Sequence, residues 1–364
     1  MRFVFRVDAS LQIGTGHVMR CLTLADALRG KGAVCRFVCR EHPGNLLETI
    51  QQRGFAVLLL PAATIAEGYA SESTATAYAA WLGTDWQTDA TQTLNILGDV
   101  SDDWLIVDHY ALDARWERSM RDKCRRIMVI DDLADREHDC ELLLDQNLGR
   151  QAADYLNRVP TTCKLLIGPK FALLRPEFAA MRDYSLVRRS NPEIRHILIS
   201  IGGVDKDNVT GRILEALKLS ALPANCRITV VMGMTAPWLE MVCCLSKDMP
   251  WPTEVLVGAS DMAKLMADSD LAIGAAGSTS WERCCLGLPT LMLILADNQR
   301  AVARGLEHAG AAYVVQDVGE IMEAIPRLIH ANLASPQQYI AMSRIAANIV
   351  DGQGAIHLIN QLGC

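Results

Sequence analysis

Arg2-Phe-Val-Phe-Arg-Val-Asp8, with Gly14-Thr-Gly16-His17 close behind it, is the stretch that decides the fold. A short apolar strand runs into a glycine-flanked turn, and a helical pattern over 17–30 follows. Open α/β sheets are built from such units and hold their ligands at the carboxyl ends of the strands. The turn therefore carries a titratable imidazole, His17, to the edge where ligands bind. Glycines at 14 and 16 let the backbone approach a bound group closely. The partial positive charge of the helix N-terminus disfavours protonation of His17 and keeps it available as a base; the plainer reading is a helix-capping histidine without catalytic duty. A dinucleotide fingerprint also begins G-x-G, but Met19 stands where its third glycine belongs and no acidic residue clearly caps the second strand. NAD is therefore not expected.

Outward from this unit, the first half of the chain alternates strands with helices. Strands are predicted at 2–8, 34–39, 55–60, 104–108, 127–131, 142–145 and 164–167. Most are continuous apolar runs, as in a parallel sheet covered on both faces. Helices are predicted at 17–30 and 44–53. The stretch 62–100, rich in Ala, Thr, Ser and Gly and carrying Trp81 and Trp86, reads as a helical excursion, with helical spacing over 78–98. A charged helix from Phe178 to Arg189 ends at Ser190-Asn191-Pro192, where the residue before proline resists helix. Alternation restarts at Arg195-His-Ile-Leu-Ile-Ser-Ile201 and Gly202-Gly203, with strands at 227–232, 254–258, 270–274, 290–295 and 312–315 and a helical tail over 336–361. The expectation is two doubly wound domains, 1–185 and 191–364, facing across a cleft that holds the ligand, with the last helix packing back on the first domain.

The bulk composition excludes several function classes. Half of the 364 residues are hydrophobic, as in ordinary globular domains, and the net charge of −7 with no basic cluster argues against nucleic acid as a partner. No secretory leader or bilayer-length apolar run is evident, so a soluble, cytoplasmic chain without stable membrane association is expected; the apolar face of 17–30 reads as core packing. The twelve cysteines (21, 35, 39, 124, 140, 163, 226, 243, 244, 284, 285 and 364) form no C-x-x-C pair and have no histidines at zinc spacing. They read as small buried hydrophobes in a reducing compartment, and no metal is expected.

Polar strand ends gather on the rim that carries His17. Asp8 ends the first strand, as an orienter of the imidazole, a substrate ligand or a turn cap. Asp108-His109-Tyr110 and Asp131-Asp132 follow two later strands on the same rim, the Asp pair reading as turn formers rather than metal ligands. In the second domain, Asp270-Leu-Ala-Ile-Gly274-Ala-Ala-Gly277-Ser278-Thr279-Ser280-Trp-Glu282 passes from a strand through small residues into a helix. The space, the first-turn amides and the hydroxyls suit a phosphate, and Glu282 suits a ribose diol. The alternative is an ordinary N-cap with a capping-box glutamate. Gly202-Gly203, followed by Asp205, Lys206 and Asn208, forms a companion loop that contacts phosphate or sugar or is a plain turn.

In combination these motifs resemble the two-domain nucleotide-sugar enzymes of the GT-B type. Gly202-Gly203, the turn at 274–280, Glu282, Gly287-Leu-Pro289 and Asn298-Gln299 are similar to the UDP-binding half of the MurG-like N-acetylglucosaminyltransferases. Phe5-Arg-Val-Asp8-Ala-Ser10, Ile13-Gly-Thr-Gly-His17-Val-Met-Arg20, Asp108-His-Tyr110, Asp131-Asp132 and Ala172-Leu-Leu-Arg175-Pro-Glu-Phe178 resemble the pseudaminic acid pathway hydrolases, which act on UDP-2,4-diacetamido-2,4,6-trideoxy-β-L-altropyranose. The resemblance spans about residues 2–315; the segment around 81–97 is similar to one in longer members, and the tail beyond about 335 lies outside it. It implies metal-independent, cofactor-free hydrolysis of the glycosidic C–O bond to UDP, with His17 as base. It further implies that Gly277, Ser278 and Thr279 meet the departing phosphate, that Glu282 holds the ribose, and that Gly203 and Asn208 lie near the phosphates. Arg175, Tyr110, Asp8, Gly14 and Gly16 would line the substrate pocket. A UDP-sugar glycosyltransferase and a non-enzymatic nucleotide-sugar sensor are the competing readings. The oligomeric state and the stereochemistry of the sugar are not fixed by these motifs.

Overall fold

A computed structural model of the protein describes residues 1–62, 78–99, 101–191 and 193–363. Most of the early part of the 62–100 excursion, together with Pro192 and Cys364, lies outside the described residues. The chain forms two compact units, Met1–Leu173 with Gly354–Cys364, and Leu174–Gln353.

Unit 1 is one parallel sheet of seven strands: β1 (Arg2–Val7), β2 (Val34–Arg40), β3 (Ala56–Leu60), β4 (Asp102–Asp108), β5 (Cys124–Ile130), β6 (Leu142–Asp145) and β7 (Lys164–Ile167). Their spatial order is 3-2-1-4-5-6-7. Helices α1 (Gly16–Arg29), α2 (Leu47–Gln52), α3 (Trp86–Leu97) and α4 (Ala114–Ser119) connect strands of this sheet. Each predicted strand is present to within a few residues, because burial on both faces leaves a continuous apolar run. Phe3, Phe5 and Val7 pack on one face with Val18, Leu22 and Leu28 of α1; Val4 points to the other, with Leu105, Val107 and Trp116. Phe5 stacks on Phe37 of β2 at 4.8 Å between ring centroids.

The helical spacing over 78–98 does not become one helix. A 3₁₀ turn at Ala79–Leu82 and α3 are separate, because the Asp85 carboxylate accepts the Thr88 amide at 2.8 Å and starts a new helix. From α3, Asp89 then enters the sheet face beneath β1 and β2. It pairs with Arg6 and Arg40, each at 2.7 Å, and accepts from Trp116 Nε1 at 2.9 Å. Together with Asp8, which pairs with Arg6, it balances the two arginines inside these apolar strands.

Unit 2 repeats the design with six parallel strands: β8 (His196–Ser200), β9 (Arg227–Met232), β10 (Thr253–Val257), β11 (Leu271–Ala275), β12 (Thr290–Leu293) and β13 (Tyr313–Val315). Their order is 10-9-8-11-12-13. The helices are α5 (Pro176–Arg188), α6 (Val209–Lys218), α7 (Leu239–Lys247), α8 (Met262–Asp268), α9 (Thr279–Cys285), α10 (Arg300–Ala309), α11 (Ile321–Ala334) and α12 (Pro336–Ile349). The units divide at Leu173/Leu174, ahead of the expected boundary, because α5 packs within unit 2: Ser185 Oγ donates to the Leu286 carbonyl at 2.7 Å and Arg188 pairs with Asp270 at 2.6 Å.

The helical pattern over 336–361 is also divided. After α12 the chain becomes extended at Val350, and α13 (Gly354–Leu362) belongs to unit 1. There Leu358, Ile359 and Leu362 are buried in the same core as α1. Gly354 enters so closely against Ala172 that a Cβ would lie 2.2 Å from the Ala172 carbonyl oxygen, so only glycine fits.

Candidate active site

Both sheets reverse direction of growth between two adjacent strands, β1/β4 in unit 1 and β8/β11 in unit 2. Loops leaving the carboxyl ends of such strands diverge to opposite faces and open a crevice, the ligand position of open α/β sheets. In unit 1 the flanking residues are His17, one turn beyond β1, and Asp108, the last residue of β4; Val7 and Asp108 are register partners.

Gly14 makes the turn after β1, with a φ of +79° and its amide donating to the Ser10 carbonyl at 2.8 Å. Gly16 is the first residue of α1, so His17 falls in its first turn. His17 Nδ1 lies 2.6 Å from Asp108 Oδ1. Arg20, three residues on and on the same helix face, reaches the same carboxylate through Nε and Nη2, both at 2.6 Å. A carboxylate only accepts, so the proton of a neutral imidazole sits on Nδ1 and the lone pair on Nε2. Nε2 makes no hydrogen bond among the described residues, and His17 is 9% exposed. Burial opposes a charge on Asp108, but the Arg20 guanidinium and His17 hold its carboxyl well below the usual range. A fixed anion behind the ring both orients it and stabilises the imidazolium that forms when Nε2 takes a proton.

Arg20 also pairs with Asp132 at 2.7 Å, and the Tyr110 hydroxyl donates to Asp132 at 2.8 Å. Tyr110 meets the His17 ring edge-on at 4.7 Å between centroids. Trp81, from the 3₁₀ turn of the excursion, stacks on Tyr110 at 5.5 Å and meets His17 edge-on at 6.4 Å; Tyr78 touches both Trp81 and Tyr110. One face of the imidazole is thus bounded by aromatic rings.

Asp8 is not part of this constellation. Its carboxylate pairs with Arg6 at 2.7 Å, accepts the Arg40 amide at 2.7 Å and lies 3.3 Å from His109 Nε2. It is 1% exposed, and although burial opposes its charge, Arg6 and His109 hold the carboxyl well below its ordinary value. The reason is strand alternation: Asp8 shares a face with Arg6, not with Val7. The orienting role expected of Asp8 belongs to Asp108. Arg20, Asp108 and Asp132 stood in the rim motifs read from the sequence and Trp81 in the excursion, but none of them was given a role in the site. The i, i+3 spacing of His17 and Arg20 and the strand-end position of Asp108 were the available signals. Asp131 is structural, accepting from Tyr155 and Ala134 and pairing with Arg136.

In unit 2, Gly277, Ser278, Thr279 and Glu282 come together at the end of β11 and the start of α9. Ser278 makes no side-chain capping bond, so the plain N-cap is not what is built there. The amides of Gly277, Ser278 and Thr279 have no partner among the described residues, leaving donors where an anion would sit. Burial pushes the Glu282 carboxyl up to about 7, against the pull of Arg175 and Arg283. Arg175 is the N-cap residue of α5 and pairs with Glu177 at 3.3 Å. Its guanidinium acts on Glu282 within unit 2. Gly203 follows β8 with open space at its α-carbon. Asn208 caps α6, its side chain accepting the Gly211 amide at 3.2 Å and donating to Met241 Sδ. Among the described residues no hydrogen bond joins Asn208 to the 277–282 turn. Among the described residues no group of three His, Cys, Asp or Glu side chains is arranged to hold a metal, and no helix is long and apolar enough to cross a membrane.

A family model described as the glycosyltransferase family 28 C-terminal domain matches residues 196–356. The UDP-2,4-diacetamido-2,4,6-trideoxy-β-L-altropyranose hydrolase of Campylobacter jejuni subsp. jejuni is 25% identical over 311 residues, 85% of this chain and 97% of its own. An uncharacterized protein of Methanocaldococcus jannaschii is 24% identical over 305 residues; this covers 82% of this chain and 57% of the relative, so the chain spans little more than half of that protein. MurG of Acinetobacter baumannii superposes with a TM-score of 0.71 at 16% identity, covering 100% of this chain and 99% of that one. The chain thus consists of two parallel-sheet Rossmann-like domains that match GT-B glycosyltransferase structures.

Proposed function

We propose that the protein is an enzyme that processes UDP-sugars, and more specifically a cytoplasmic hydrolase. In this reading it releases UDP and the free sugar from UDP-2,4-diacetamido-2,4,6-trideoxy-β-L-altropyranose, in pseudaminic acid synthesis. The observation that carries this reading is the His17 Nδ1–Asp108 contact of 2.6 Å, which leaves Nε2 as the free basic atom. The whole-length similarity to the Campylobacter hydrolase supports the substrate class.

In the proposed reaction His17 Nε2 takes a proton from water as the water oxygen attacks the anomeric carbon. The bond between that carbon and the phosphate oxygen breaks, and UDP departs with the electron pair. UDP is a good leaving group, so the remaining task is to meet its growing negative charge. The unpaired amides of Gly277, Ser278 and Thr279 and the hydroxyls of Ser278 and Thr279 are assigned to that task. Glu282 is assigned to the ribose diol; Gly14, Gly16, Tyr110 and Arg175 are assigned to the substrate pocket, and Gly203 and Asn208 to the nucleotide. The enzyme needs no cofactor in this scheme.

His17→Ala should abolish UDP release while calorimetry still registers UDP binding. Hydrolysis in ¹⁸O-labelled water should place the label on the sugar. Undiminished turnover in the variant, or label on phosphate, would overturn the mechanism. A second reading, a UDP-sugar glycosyltransferase, is favoured by the family 28 match and the MurG-like fold. It requires an acceptor hydroxyl, so UDP release at full rate with no acceptor present decides between the two.

A further inference from the structure

The excursion between β3 and β4 does more than bridge two strands: it carries an aromatic side chain to the proposed base. Trp81 stacks on Tyr110 with an interplanar angle of 21° and stands edge-on to His17 at 78°. Tyr110 is itself edge-on to His17 at 86°, and its hydroxyl is fixed on Asp132. The turn bearing Trp81 is anchored by the residues that follow it. Leu82 is buried in the core against the sheet, and Asp85 and Asp89 fix α3 immediately after it. Trp81 is therefore held against the imidazole by packed structure and not by a loose loop. The wall it makes is aromatic and occupies volume beside the ring.

We infer that Trp81, backed by Tyr110, is a specificity-determining residue that narrows the space beside the His17 ring, so that water reaches the base and larger hydroxyl nucleophiles do not. The inference rests on the proposed UDP-sugar hydrolysis and deepens it: the same base would deprotonate an alcohol as readily as water if the alcohol reached it. The two reactions balance in the same way. Water gives the free sugar and UDP; an alcohol gives an alkyl glycoside and UDP, with the proton passing to His17 in each case. What separates them is access, and a well-packed aromatic wall discriminates between nucleophiles that differ by a methyl group or more by about tenfold or better.

The experiment measures partitioning. Wild-type protein and the graded series Trp81→Phe, Trp81→Leu and Trp81→Ala are incubated with the UDP-linked diacetamido sugar in the presence of methanol or glycerol. Total UDP is measured together with the ratio of glycoside to free sugar by mass spectrometry. The wild type should give almost only free sugar. The ratio should rise as the side chain shrinks, by about tenfold from tryptophan to alanine, with phenylalanine near the wild type. A flat ratio across the variants that release UDP, or a wild type that already forms glycoside as freely as Trp81→Leu, overturns the inference. Absence of UDP release from the wild type would instead remove the hydrolase reading, so the two failures are distinguishable.

Discussion

At His17 the chemistry depends on which ring nitrogen carries the proton, and one neighbour decides it. Asp108 accepts from Nδ1 at 2.6 Å while two Arg20 nitrogens hold the same carboxylate in place, so the ring has one orientation and one neutral tautomer. Arg20 Nη2 also comes within 3.2 Å of Nδ1, but two donors facing each other gain nothing, and the shorter contact to the anion prevails. Asp108→Asn keeps the shape and removes this preference, since an amide presents a donor and an acceptor to the ring. Turnover at saturating substrate should fall by roughly three to four orders of magnitude, the scale seen when a triad carboxylate is lost, while the Michaelis constant changes little. Steady-state UDP release tests this, and a loss of less than about a hundredfold, the smallest effect expected of a disturbed acid–base group, would reduce Asp108 to a packing residue. Part of this arrangement was legible beforehand. The strand–turn–helix pattern placed His17, but the chain read locally does not say which strand-end carboxylate meets it. Asp8 and Asp108 end neighbouring strands, and only alternation relative to Arg6 turns Asp8 inward.

Among the elements, α3 shows how a segment of weak local signal becomes necessary to the fold. Its spacing reads as part of a helical excursion, and its boundary at Asp85 is hidden because the residues before it share the same period. Yet Asp89 meets Arg6 and Arg40 inside the sheet, where both guanidinium groups are almost fully enclosed. Burial disfavours the Asp89 charge, and the Arg6 guanidinium more than offsets this, keeping its carboxyl below the ordinary value. Removing one member of such a group leaves the others charged in a low-dielectric setting. Asp89→Ala should therefore destabilise unit 1 by roughly 3–5 kcal/mol, and Asp89→Asn, which keeps an acceptor for Trp116 Nε1, by less. Denaturant melts followed by tryptophan fluorescence measure both; equal stability of Asp89→Ala and wild type would show that water replaces the carboxylate. The apolar strands were legible because each buries both faces. The charged residues within them were not, because their partner lies far along the chain on an element whose docking no local pattern announces.

Over the whole molecule, the two units share a sheet order around the switch point, 3-2-1-4, but place opposite electrostatic demands at it. The repetition was legible from two strand–glycine–helix openings, and so was the return of the last helix to unit 1; the crossing at Leu173 was not, because it follows from packing between distant residues. Unit 1 encloses Asp8, Asp108 and Asp131, all held below their ordinary values by arginines and histidines that outweigh their burial. Unit 2 holds Glu282, raised by burial from 4.5 to about 7. For a depressed carboxyl the unfolded chain binds the proton first, so the stability it contributes is present above its unfolded value and lost as pH falls below it. For Glu282 the sign reverses: between 4.5 and about 7 the folded chain keeps a proton that the unfolded chain has released, so stability falls as pH rises through that window and stays level above it. Asp8, Asp108 and Asp131 on one side and Glu282 on the other thus contribute pH dependences of opposite sign, and Asp145 of unit 1, raised by burial to about 6, shares the sign of Glu282. Hydrogen exchange read by mass spectrometry at pH 4 and pH 8, corrected for the intrinsic exchange rate, should show unit 1 peptides losing protection in acid. Glu282→Gln removes the proton difference, so it should leave unit 2 unchanged near pH 4.5 and protect it above pH 7 by on the order of 2 kcal/mol, the pKa difference discounted for partial exposure. Parallel loss of protection in both units on acidification, with no gain from Glu282→Gln at high pH, would mean that the Glu282 carboxylate is solvated and that its charge is not restrained by the turn it occupies.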